Sequence, residues 1–142
     1  MPELYLGTPH VDWENNMKGV YTAKEAGTAK ISTIAIHWNV SESTARQVLS
    51  ARGLLPVVTG PQKYRWQDIW RLEGEVFVPT ADWVSFRAPL LTVAELPELD
   101  LEERKARTWR RYVEKDRLPV IRLSKDIVRI RESIFLVARH YV

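Results

Sequence analysis

The sequence predicts an α+β fold, mainly α, assembled from two tandem copies of one helix, turn, helix, hairpin, helix unit. Three observations carry that expectation. Hydrophobic residues are 45% and charged residues 27% of the 142, the composition of a folded globular chain. Two stretches, Ile31 to Gly74 and Leu91 to the C-terminus, present the same order of signals despite low identity. Charge also reverses sharply between segments: residues 73–103 hold eight acids and one base, whereas residues 104–131 hold eleven bases and three acids. The expected organisation is an irregular arm over 1–22, a first unit over 23–75, a linker over 76–90 and a second unit over 91–142.

In the first unit, Ser32 or Thr33 is expected to cap a short helix running through Trp38. Asn39-Val40-Ser41 then breaks it, with Ser41 as N-cap of a second helix to about Arg52. The apolar positions of that helix, Ala45, Val48 and Leu49, fall at i, i+3, i+4 and form one buried stripe. Ser43, Thr44, Arg46, Gln47 and Ser50 point away from it. Gly53 suits the C-terminal cap. Leu54 to Val58 and Tyr64 to Trp66 read as short strands, joined by Thr59-Gly60-Pro61-Gln62-Lys63 as a hairpin with a basic tip. A helix from Gln67 to about Glu73 closes the unit.

The second unit repeats these signals. Thr92 caps a helix ending near Pro97, and the main helix runs from about Leu101 to Lys115. Ala106, Trp109 and Val113 share one face of it, with Tyr112 beside them. Pro119 to Leu123, Ser124-Lys125-Asp126 and Ile127 to Arg131 form the hairpin, and Glu132 to about Arg139 the closing helix. The pairings Thr33 with Thr92, Thr44 with Thr108 and Ile69 with Ile134 align the copies. This element order is that of a winged helix-turn-helix. In the linker, Asp82-Trp83-Val84-Ser85-Phe86 reads as a short helix set between the units. Trp66, Trp70 and Trp109 are expected to fill cores, while Trp38 is open between packing and stacking.

With Leu91-Thr92-Val93-Ala94-Glu95-Leu96, Thr108-Trp109-Arg110-Arg111-Tyr112-Val113, Arg117-Leu118-Pro119 and Arg131-Glu132-Ser133, the second copy resembles the excisionase and MerR-like winged-helix superfamily. The first copy resembles it more loosely. The resemblance implies that the second helix of each unit enters the major groove of DNA while the wing follows the minor groove or backbone. MerR-type sensors continue into a long dimerisation helix and an effector domain. This chain ends at Val142, directly after the second unit, so the expectation is of two modules in one chain and not of a ligand-sensing homodimer.

Arg46 with Gln47, and Arg110 with Arg111, occupy equivalent outward positions and are the expected base readers. Arg pairs bidentately with guanine and Gln with adenine on the major-groove edge. Ser43, Thr44 and Thr108 are short enough for phosphates or thymine methyls. Arg104, Lys105 and Arg107, with Lys63, Arg65, Arg122, Lys125 and Arg129 on the wings, are expected to meet backbone phosphates. Glu42 opposes phosphate at the start of the first such helix, so that unit could hold a protein partner instead.

No catalytic motif is present: the chain lacks a phosphate-binding Gly-rich loop ending in Lys-Ser/Thr, a Gly-x-Ser-x-Gly elbow and a His-Glu-x-x-His pair. His10, His37 and His140 have no ligand spacing, and His37 is expected to pack or cap, so neither metal nor cofactor is implied. Glu98 to Glu103 is expected at a helix entrance, where acids meet the helix dipole favourably. Absence of Cys points to a reducing cytoplasm, there associated with the nucleoid, and no run approaches a membrane span. The expected activity is sequence-specific binding of double-stranded DNA, as a transcription regulator or excisionase-like recombination directionality factor. A recombinase, RNA polymerase or another regulatory protein is the expected protein partner, and the chain is expected to act as a pseudo-dimeric monomer or weak oligomer on DNA. Two alternatives stand beside it: a packaging protein like a small terminase subunit or a replication accessory, and a winged-helix interaction module.

Overall fold

A computed structural model describes residues 26–59 and 62–142. The arm expected over 1–22 lies outside the described residues, as do Gly60 and Pro61 at the first hairpin tip. The fold is α+β. Its first half contains β1 (Thr28–Lys30), α1 (Ile31–Trp38), α2 (Glu42–Ala51), β2 (Val58–Thr59), β3 (Gln62–Arg65) and α3 (Trp66–Leu72). β1, which carries no turn or periodicity signal of its own, pairs antiparallel with β3, and β2 takes the other edge in the order β1-β3-β2.

That pairing corrects the expected start of α1. Lys30 is held extended as the last residue of β1 and becomes the N-cap without any side-chain cap, so Ser32 and Thr33 lie inside the helix. α1 ends at Asn39, whose φ of 58° is the left-handed conformation that Asn tolerates better than most residues. Ser41 then caps α2 as expected, its Oγ accepting the Thr44 N–H at 3.1 Å. Ser41→Ala is expected to cost about 1 kcal/mol in urea unfolding with an unchanged denaturant slope. Ala45, Val48 and Leu49 are buried, and Gly53 at φ 73° terminates the helix.

A 3-10 turn over Thr80–Asp82 leads into the linker helix α4 (Trp83–Arg87). It is tied to the first core: the Trp70 Nε1–H donates to the Phe86 carbonyl at 3.0 Å, and Trp83 and Phe86 pack on that core. The second half opens with a 3-10 helix, Val93–Leu99. Thr92 and Glu95 close a capping box at its start. α5 (Ala106–Glu114), β4 (Ile121–Ser124), β5 (Ile127–Arg129) and α6 (Glu132–Ala138) follow.

α5 starts at Ala106, later than the expected Leu101. The Asp100 carboxylate accepts the N–H groups of Glu102 and Arg104 at 3.0 and 2.9 Å, and Glu103 adopts φ 54°, so the chain cannot wind into a helix there. The acidic stretch is therefore a loop organised around Asp100 and not the first turn of the main helix.

Several helix starts and buried positions of the two halves can be set side by side. Lys30 and Thr92 are the N-caps of the first helices, and Ile34 and Leu96 are both fully buried. Ala45 and Trp109, then Leu49 and Val113, occupy equal buried places on α2 and α5. Arg65 and Arg131 are the N-caps of the closing helices, where Ile69 matches Phe135. Thr33 with Thr92 and Ile69 with Ile134 were thus out of register, and Ile134 is exposed. The Ala29–Tyr64 pairing recurs as a single bridge between Leu91 and Ile130.

Each half has its own hydrophobic cluster, but the second hairpin belongs to both. Ile121 and Leu123 are buried in the first cluster, with Leu123 carried by a bulge in β4, whereas Val120 and Val128 pack on the second. The hairpin is consequently a packing element between the units, and only its turn and the outward side chains of β4 are free.

Candidate nucleic-acid interface

On α5 the apolar pair Trp109 and Val113 turns inward. The Trp109 ring meets Phe135 edge-on at 4.9 Å and Tyr112 at 5.4 Å. At 3.6 residues per turn, Arg107, Arg110 and Arg111 are left on the opposite arc, exposed, with Lys105 at the helix start. Glu114 shares that arc near the C-terminal end, and Thr108 sits half-buried at its edge.

On α2 the same construction leaves Ser43, Arg46 and Gln47 exposed, while the half-buried Thr44 accepts a hydrogen bond from the Ser41 hydroxyl at 2.9 Å. Arg46 approaches Glu42 at 3.5 Å, with both side chains more than half exposed, a contact that solvent screens strongly. The opposition expected between Glu42 and phosphate is thus partly met by Arg46.

Lys63 and Arg65 project from the outer face of β3, opposite the buried Tyr64. Lys30 joins them. It lies directly across from Lys63 in the β1–β3 register, and like charges placed opposite each other disfavour the pairing unless an anion sits between them. Sequence reasoning missed Lys30 because β1 was not expected. It also left out Lys115 and Arg117, both exposed; Arg117 stacks 4.8 Å from the Tyr112 ring. Arg122 and Lys125 are exposed on β4 and the hairpin turn.

Two expected phosphate ligands have internal roles instead. The Arg104 guanidinium donates to both Asp100 oxygens at 2.8 and 3.0 Å and to the Arg139 carbonyl at 3.0 Å, and it covers the Trp109 ring at 4.7 Å. These bonds hold the Asp100 carboxyl at about 2, below its ordinary value and against the opposing effect of burial. Arg129 donates from Nε to the Trp38 carbonyl and from Nη2 to the Asn39 carbonyl, both at 2.8 Å, and burial lowers its pKa. Neither residue is available to a phosphate without breaking these contacts.

The eleven bases of residues 104–131 therefore divide by role. Arg104, Arg129 and Arg131 serve the fold, and Lys105, Arg107, Arg110, Arg111, Lys115, Arg117, Arg122 and Lys125 remain exposed.

Between the units lies a buried polar cluster. One Glu73 oxygen accepts from Arg131 Nη2 at 2.5 Å. The other is 2.6 Å from His37 Nε2 and accepts from Trp38 Nε1 at 2.8 Å. Burial by itself would raise the Glu73 carboxyl. The hydrogen bond and charge of His37 and the charge of Arg131 outweigh it and hold the group below the ordinary glutamate value. His37 Nδ1 meets the Ala88 carbonyl at 2.8 Å, so both ring nitrogens have polar partners inside the fold. His37 thus packs as expected, and Trp38, fully buried, is a core residue. Among the described residues no helix is long and apolar enough to cross a membrane. No protein-family model matches the chain, and neither a curated protein nor a solved structure matches it.

Proposed function

We propose that the chain is a sequence-specific double-stranded DNA-binding protein of tandem winged helix-turn-helix design, serving as a transcription regulator or excisionase-like directionality factor. The observation that carries this reading is the equivalence of two outward faces. Arg46-Gln47 and Arg110-Arg111 follow matching buried residues, Ala45 and Trp109, on corresponding helices of the repeat. Arginine, which reads the guanine edge, is thereby offered from both helices, and glutamine, which reads adenine, from the first. Lys30, Lys63 and Arg65 in one half, and Lys105, Arg107, Arg122 and Lys125 in the other, supply backbone contacts.

Selection of binders from a random duplex pool at near-physiological salt tests the reading. Enrichment of a two-part motif supports it. Retention without enrichment that collapses as salt rises would replace it by backbone binding alone, the behaviour of a packaging or architectural protein. Lys125→Ala is expected to weaken all sequences alike and to reduce the salt slope by about 1, as measured by titrations at several salt concentrations.

One observation favours a protein partner in addition to, or in place of, DNA. Ile134, Val137 and Tyr141 lie at i, i+3 and i+7 along and just beyond α6, and all are exposed. Binding to a recombinase or polymerase that survives charge reversal at Arg110 and Arg111 would mark the interaction-module reading.

A further inference from the structure

We infer that the contacts of Arg129, Arg131 and Asn39 at the unit junction act as positioning contacts that fix the spacing between the two DNA half-sites. This inference rests on the DNA-binding reading and goes beyond it by assigning the spacing rule to residues that touch no DNA.

The geometry converges on one place, the turn from α1 into α2. The last turn of α1 exposes carbonyls that a helix end must satisfy. Arg129 takes those of Trp38 and Asn39 at 2.8 Å each, and the Leu90 N–H takes that of His37 at 2.7 Å. The Asn39 side chain donates to the Leu90 carbonyl at 3.2 Å and to Glu95 Oε1 at 2.9 Å. Glu95 in turn accepts the Thr92 N–H at 2.8 Å as part of the capping box that starts the second unit. Beneath this layer Arg131 reaches Glu73 across the junction and lies 4.1 Å over the Phe86 ring of the linker helix.

On the far side, Arg129 and Arg131 flank Ile130, which is paired with Leu91. The turn that aims α2 is therefore bonded to the strand and helix start of the second unit. Ile121 and Leu123 add buried apolar contact to the same junction. Hydrogen bonds fix direction as apolar contact alone does not, so α2 cannot swing relative to the second unit without breaking several at once.

One base pair changes separation by about 3.4 Å and rotates the second half-site by about 34°. A pair of helices held this way cannot follow that displacement. A flexibly linked pair would follow it at small cost.

The test uses the full chain and two half-sites taken from the selected motif, separated by different numbers of base pairs. Adding or removing one base pair is expected to weaken wild-type binding by at least about tenfold. In the double variant Arg129→Ala with Asn39→Gly, that discrimination is expected to fall below about threefold, while affinity for an isolated half-site is retained. Glycine accepts the left-handed backbone at position 39, so the variant removes bonds without adding strain. Wild-type tolerance of altered spacing would overturn the inference, as would a variant that keeps the full discrimination or weakens equally at every spacing.

A measurement without DNA separates this inference from the functional reading. The chain has no Cys, so Ser50→Cys on α2 and Glu114→Cys on α5 place two unique spin labels. A narrow label-to-label distance distribution that broadens in the double variant is expected. A distribution already broad in the wild type would overturn the positioning role even if DNA is bound. A narrow one in a chain that binds no half-site would overturn the functional reading, and the spacing rule with it.

Discussion

Replacing Glu73 with Leu is expected to destabilise the folded chain by about 3–5 kcal/mol, a large share of the stability of a small domain. The carboxylate is wholly buried and receives Arg131, His37 and Trp38. Removing it leaves a guanidinium only 3% exposed without its anion, and takes the partner of His37 Nε2 and the acceptor of Trp38 Nε1 away. The loss comes mainly from those stranded donors. Adding Arg131→Met to Glu73→Leu is therefore expected to recover a substantial part of it, because apolar replacement of both partners avoids the buried charge. Urea unfolding of the three chains measures both effects. A loss below about 1 kcal/mol for the single variant would show that water reaches the cluster and that the junction is loosely closed.

Acid should act on the same contact. Glu73 is held below its ordinary value in the folded chain, as is Asp100, at about 2, in its separate pair with Arg104. A carboxyl depressed by folding contributes its stability in full above the pH at which it titrates when unfolded, about 4, and loses it as pH falls through the folded value. The stability gap between wild type and Glu73→Leu is expected to narrow progressively below about pH 4. A gap that stays constant down to about pH 2 would contradict ionisation of Glu73 as its origin.

Exchanging both Arg110 and Arg111 for Ala is expected to produce the largest loss of DNA affinity, about 1–3 kcal/mol for each lost base contact. Both side chains are exposed on the arc opposite Trp109 and carry no internal hydrogen bond or ion pair among the described residues, so the fold should be unaffected. Specificity at the affected base pairs should relax, in contrast to the uniform weakening at Lys125. Competition titrations against single-base-pair variants of the selected site distinguish the two patterns. Equal losses on all sequences would move these arginines from the bases to the backbone.

Local signals were legible and long-range ones were not. Ser41, the stripe of Ala45, Val48 and Leu49, the Thr92 cap and the burial of Trp109 all depend on neighbours within a helical turn, and periodicity exposes them. β1 is three residues long and owes its existence to β3, far along the chain. The delayed start of α5 depends on Asp100 accepting backbone N–H groups, which the apolar pattern from Leu101 onward conceals. The hardest cases were Arg104 and Arg129. Basic character identifies a residue able to meet phosphate, but its partner is set by the three-dimensional approach of Asp100 in one case and the end of α1 in the other. The same applies to Glu73, one acid among many in its segment until His37, Trp38 and Arg131 close around it.

The junction joins unlike surfaces, and that has a consequence for symmetry. By their places at and just before the N-caps of the closing helices, Arg129 and Arg131 of the second half match Lys63 and Arg65 of the first, which are exposed, while Asn39, the C-cap of the first helix, is matched by Asp100, the C-cap of the 3-10 helix. The halves meet head to tail, without the dyad that pairs identical surfaces. On the proposed function, the preferred operator is then not an inverted repeat, and the bound chain gives the DNA a polarity. Contacts of this type can in principle propagate into open chains. Here the C-cap of α3 is Glu73 and the matching C-cap of α6 is Arg139, so the acceptor that receives Arg131 in the first half is a cation in the second. Among the described residues the pairing is made once.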